Sequence, residues 1–259
     1  MRSSNPVLTR LNPPVRQPQG YGGPVSTYPS PVVDLSGTDR MTVDDVVVRT
    51  MGLLAVTVLS GGVAWALIRD PALMRSVWIG AALVGLVIGL IISFRRVTNP
   101  GLILAYAVVE GVFVGMFSKV FETYYQGIVL QGAIGTVGIF MIMTALYKFR
   151  VIRNSPRFAR GVMAAMVGVF ALILVNWLIY LFTGNPGLRG GGPLSIIFSL
   201  VVIVVASLTF ILDFDLIEQS VRMGAPRQMA WTCAFGLLVG LIWVYLEVVR
   251  LLSYLRGRN

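Results

Sequence analysis

Two carboxylates stand where an apolar stretch is running out, in Leu208-Thr209-Phe210-Ile211-Leu212-Asp213-Phe214-Asp215-Leu216-Ile217-Glu218. The chain has only 11 acidic residues in 259. Withdrawing a carboxylate from water is costly, so ionisable groups within or at the edge of a spanning helix are candidates for function. Two more acids share that setting. Glu110, in Ala105-Tyr106-Ala107-Val108-Val109-Glu110-Gly111, lies well inside an apolar run, at a depth of roughly 14 Å for a 1.5 Å rise per residue. Glu247, in Trp243-Val244-Tyr245-Leu246-Glu247-Val248-Val249-Arg250, has aromatic neighbours of the interfacial kind and a potential ion-pair partner in Arg250. Deprotonated, such groups are hard oxygen ligands suited to Ca²⁺, which makes Asp213 and Asp215 candidate calcium ligands. Carboxylates held close in low dielectric titrate as a unit. The chemistry these residues permit is a cation path controlled by protons.

Helical spacing limits how they can cooperate. Residues two apart are separated by about 200° around a helix, so Asp213 and Asp215 cannot face one cavity and each needs a partner from another helix. Asp215 and Glu218 do share a face. Glu218 and Arg222, four apart, predict an exposed ion pair worth tenths of a kcal/mol, about 0.2–0.5.

These residues must be positioned by membrane helices. The composition is 56% hydrophobic and 12% charged, against about 25% charged for a soluble domain. Seven apolar spans, at about 47–68, 77–94, 101–119, 127–147, 160–183, 193–214 and 229–252, each approach the ~20 residues that cross the hydrocarbon. The fold expected is an all-α membrane protein of seven transmembrane helices. Ser155 before Pro156 suits the start of the fifth helix, and Thr42-Val43-Asp44-Asp45 the start of the first. Gly85-x-x-x-Gly89 and Gly111-x-x-x-Gly115 let helices approach closely.

The net charge of +10 comes from 21 basic residues placed mostly in short connections, the pattern of topology signals, not of a nucleic-acid face. With the N-terminus cytoplasmic, fourteen of the 21 fall inside and seven outside, which favours that orientation in the cell's plasma (inner) membrane. Residues 1–40 hold seven of the 13 prolines and are expected to form a disordered cytoplasmic tail ahead of a transmembrane domain at 41–259. Histidine is absent and Cys233 is the single cysteine. That excludes an intrachain disulfide, a Cys/His zinc site, and Ser–His or His-Glu-x-x-His hydrolysis. No Gly-x-Gly-Asp arrangement supports an intramembrane aspartyl protease. No enzyme activity and no cofactor is expected, and a pH response near neutrality has to come from carboxylates.

The segment Glu110-Gly111-Val112-Phe113-Val114-Gly115-Met116-Phe117-Ser118, the Phe214-Asp215 step and Tyr245-Leu246-Glu247 follow one another across the spans, after Met41-Thr42-Val43-Asp44-Asp45. In that order they resemble the Bax inhibitor (transmembrane Bax inhibitor motif) family in its bacterial form, over about residues 41–255. The resemblance implies a bundle with the last helix central, wrapped by the other six. It also implies a calcium leak controlled by protonation of an aspartate pair, one from helix six and one from helix seven. Carried over, the first is Asp215 or Asp213, and the second is Glu247, a glutamate where the family usually has aspartate. Depth opposes that pairing: Glu247 lies roughly 27 Å along the last helix, while Asp213 and Asp215 lie near its starting end. Glu110 with Asp213, or an aspartate with Arg49, Arg95 or Arg96, are the other pairings to consider.

The function expected is a pH-sensitive leak for calcium ions or protons in the lipid bilayer. The alternative is a non-conducting scaffold that holds membrane protein partners through its tail and loops.

Overall fold

The computed structural model describes residues 40–95, 97–152 and 154–257. The tail expected at the N-terminus, Arg96 and Arg153 lie outside the described residues. Seven helices follow in order: α1 Val43–Leu67, α2 Pro71–Arg95, α3 Pro100–Tyr124, α4 Ile128–Lys148, α5 Pro156–Thr183, α6 Pro193–Arg222 and α7 Met229–Arg256. Each is long and apolar enough to cross a membrane, so the chain is a multi-pass membrane protein. At 28 residues, roughly 42 Å, α7 is a continuous crossing helix, not a re-entrant one.

Local chemistry sets the helix starts. Thr42 and Asp45 form a reciprocal capping box at α1, and Ser155 accepts from the Phe158 amide ahead of Pro156 at α5. Asp70 accepts from the Leu73 amide at 2.9 Å, which lets α2 begin at Pro71, several residues before the apolar run. α6 departs most from its predicted end near 214, running on to Arg222. Ile217 and Ser220 remain buried there, and the acids on the other faces find polar partners on neighbouring segments, so nothing stops the helix.

α7 is the central helix. Two-thirds of its membrane window (67%) is buried, against 11% for α2 and 17% for α5. It packs closely against α1, α3, α4 and α6, but among the described residues α2 lies along only α3, and α5 lies along only α6 and the 3-10 turn Gly187–Arg189, reaching α7 by the contact of the Phe170 and Trp243 rings. The expected wrapping by all six helices is therefore incomplete. Apolar side chains such as Leu83, Val87, Leu174 and Leu178 are exposed on this outer pair, where they can only face lipid.

Glycines make the closest crossing, between α1 and α3. A methyl group placed on Gly61 would come 2.8 Å from the Gly111 carbonyl oxygen and 3.4 Å from Gly115 Cα. At the end of the bundle where α1 begins, the α6–α7 connection is clamped to α1. The Met41 amide donates to the Ala225 carbonyl (2.9 Å), Arg227 Nε meets Asp45 Oδ1 (2.9 Å), and Arg49 Nη1 donates to the Arg227 carbonyl (3.0 Å).

Candidate functional site

The open face of α7 is where the acids of interest collect. α2 with α3 stand on one side of it and α5 with α6 on the other, leaving a cavity of about 850 Å³. Glu110 of α3 and Asp213 of α6 both line it. Counted along their helices from the α1-start end, Glu110 is ten residues from Pro100 and Asp213 nine from Arg222, so both sit roughly 14–15 Å deep.

Each carboxylate lies over a glycine of the facing helix. A Cβ on Gly85 of α2 would come 2.7 Å from Glu110 Oε2, and one on Gly236 of α7 would come 3.7 Å from Asp213 Oδ1. Gly89, one turn after Gly85, makes room in the same way for the Tyr106 ring, at 3.3 Å. The Gly85-x-x-x-Gly89 pattern thus seats a polar side chain and an aromatic one, where the sequence suggested only close helix approach. Leucine, valine, methionine and phenylalanine side chains supply most of the remaining wall, and among the described residues no arginine or lysine lines it.

Asp215 turns away, as its 200° offset requires. It accepts from Asn154 Nδ2 at 2.7 Å and from the Gln219 side chain, on the face toward the α4–α5 connection. Glu218, one turn on, is held by Tyr147 and Arg222. The Glu218–Arg222 pair is largely exposed and contributes little. Asp213 and Asp215 therefore do not form one calcium ligand set. Among the described residues no cluster of three or more acidic, cysteine or histidine side chains could hold a metal ion.

Glu247 is the larger correction to what the resemblance implied. It does not approach Asp213 or Asp215. Its side chain, 1% exposed, accepts from Ser199 Oγ (2.8 Å) and from Arg250 Nη1 (2.7 Å), with Arg189 Nη2 at 3.7 Å. The physical reason is the antiparallel α6–α7 hairpin. Gly236, the α7 residue level with Asp213, precedes Glu247 by eleven positions, roughly 16 Å. Of the basic residues considered as partners for the aspartates, Arg49 is committed to Asp45 (3.8 Å) and lies over Trp231. Arg95 forms no ion pair among the described residues, and Arg96 is outside them.

Glu247 lines a second cavity, of about 440 Å³, with Arg189 and Arg250. Trp243 and Leu246 line both cavities, so one stripe of α7 (Gly236, Gly240, Trp243, Glu247, Arg250) runs past Asp213 to the arginines. Trp243 packs on Phe170 of α5 with ring centroids 5.0 Å apart and closes the stripe midway. Tyr106, Ser199, Arg189 and the barrier role of Trp243 escaped sequence reasoning. The first two are polar residues on apolar helices, a weak signal that was present. Arg189 counted only as a loop charge and Trp243 only as an interfacial aromatic.

The sequence model of the family described as Bax inhibitor 1 like matches residues 5–257, nearly the whole chain and well upstream of residue 41. No curated protein matches the chain. With seven spanning helices, a central α7 and a family match across almost its full length, the chain belongs to the Bax inhibitor 1 like family.

Proposed function

We propose that the chain is a proton-controlled cation leak, not an enzyme, with its path along the open face of α7 and Ca²⁺ as the ion that its oxygen ligands suit. One observation carries this reading: two carboxylates from different helices, Glu110 and Asp213, share one cavity at one depth, with no basic side chain lining it among the described residues. Among the described residues, Tyr106 in the same wall and Cys233 on α7 are the other titratable groups near them. With both acids ionised, the cavity attracts a cation. With protons on them, it loses that attraction. Trp243 against Phe170 is the barrier that a conducting form must move.

The excess of basic residues at the α1-start end supports placing that end in the cytoplasm, with the protein in the plasma membrane. Calcium flux into dye-loaded proteoliposomes across a pH series tests the assignment. Asp213→Asn and Glu110→Gln are expected to flatten the pH dependence, whereas Asp215→Asn is expected to leave it as in the unaltered protein. An unchanged profile in both of the first two variants removes this cavity from the mechanism.

A further inference from the structure

The second cavity has its own chemistry, independent of the proposed leak. It lies between α5 and α7, whose backbones stay apart and which meet through the Phe170 and Trp243 rings at its inner end, so its side beyond those rings is open to the hydrocarbon. The charges within it do not balance, since Glu247 is a single carboxylate set against the two guanidinium groups of Arg189 and Arg250. Ser199 and Arg250 already use the Glu247 oxygens, and the 3.7 Å to Arg189 is too long for a hydrogen bond. The Arg189 guanidinium therefore makes no hydrogen bond among the described residues, although its Nε is sealed from solvent. A charged donor left in that state is costly. Its position is nevertheless set: Asn176 accepts from the Leu188 amide at 2.7 Å and donates to the Pro186 carbonyl, pinning the turn that carries it, and the guanidinium lies 5.8 Å over the Phe198 ring.

The missing acceptor must be anionic, must offer several oxygens to a planar fork, and must have an apolar part to lie along the opening. Phosphate matches the arginine fork, and a phospholipid supplies that phosphate together with the apolar part. Trp177 and Tyr180 of α5, which also line the cavity, are about half exposed on the outer face, as aromatic residues at the level of head groups are. The volume is within the range of small-ligand sites. We propose that this cavity binds the phosphate of an anionic phospholipid, with Arg189 as its main ligand and Arg250 as its second, the acyl chains leaving between α5 and α7.

Titration calorimetry on the full chain in detergent tests this, with short-chain phosphatidylglycerol, short-chain phosphatidylcholine and inorganic phosphate as separate probes. Saturable one-to-one binding of phosphatidylglycerol is expected, at least tenfold tighter than either other probe. Arg189→Gln, which leaves the Glu247–Arg250 pair intact, is expected to weaken it tenfold or more. Ile173→Trp, which fills the cavity without altering a charge, is expected to do the same. Phosphatidylglycerol affinity unchanged in either variant overturns the site. Equal binding of phosphatidylcholine removes the role of anionic charge, and equal binding of inorganic phosphate makes this a soluble-anion site and overturns the lipid assignment.

Discussion

Replacing Glu247 with glutamine separates the two roles that a membrane carboxylate can have. The side chain is 1% exposed and is held between Arg250 at 2.7 Å and Arg189 at 3.7 Å. Unit charges about 4 Å apart interact by about 4 kcal/mol at an effective dielectric near 20. Removing one partner of a buried pair costs about 3–5 kcal/mol, because the charge left behind is uncompensated. Glutamine keeps the shape and an acceptor for Ser199, and the guanidiniums retain 21% and 24% exposure through which water can take up part of their charge. The lower end of that range, about 3 kcal/mol, is therefore expected. For a domain of this size it corresponds to a fall in Tm of about 6–12 °C.

Cys233, buried and the single cysteine of the chain, reports unfolding directly through a thiol-reactive fluorogenic dye. Asp213→Asn is the comparison. Its carboxylate has no ion-pair partner among the described residues, so a change within about 1 kcal/mol is expected. If Glu247→Gln left Tm unchanged and instead shifted the pH dependence of calcium flux as Asp213→Asn does, Glu247 would be the proton sensor and the structural role argued for it would be wrong.

Two further outcomes follow from the packing. Trp243→Ala joins the two cavities, so it is expected to raise calcium flux several-fold at every pH in the proteoliposome assay; an unchanged rate would place the barrier elsewhere. Gly61→Leu forces a side chain against the Gly111 backbone and is expected to cost about 1–3 kcal/mol or more. Gly62→Leu, in open space, is expected to stay within about 0.5 kcal/mol, and equal Tm values for the two would refute the close α1–α3 crossing.

The helices were legible because their signals are local. Apolar runs of the right length, Ser155 before Pro156 and the Thr42–Asp45 pair each act within a few residues, and the structure has a helix start at both. The run of α6 to Arg222 was only partly legible: the Glu218–Arg222 spacing already implied a helix beyond the apolar span, but the partners of Asp215 and Glu218, Asn154 and Tyr147, lie more than 60 residues away in the chain. The divergence of Asp213 from Asp215 follows from 100° per residue and needs no fold to state it. Which of the two meets the cavity depends on where α3 and α7 stand.

By itself, then, the sequence determined a seven-helix membrane protein whose rare buried acids had to be explained, because hydrophobicity and helical period are properties of the chain. Only the tertiary structure decided the partners. The α6–α7 hairpin sets Asp213 level with Gly236 and carries Glu247 roughly 16 Å past it, to Ser199, Arg189 and Arg250. Glu110, from a helix more than 100 residues earlier, is thereby the carboxylate that shares the cavity with Asp213. A charge in low dielectric is governed by what lies within a few ångströms of it, and that neighbourhood is assembled from helices distant in sequence.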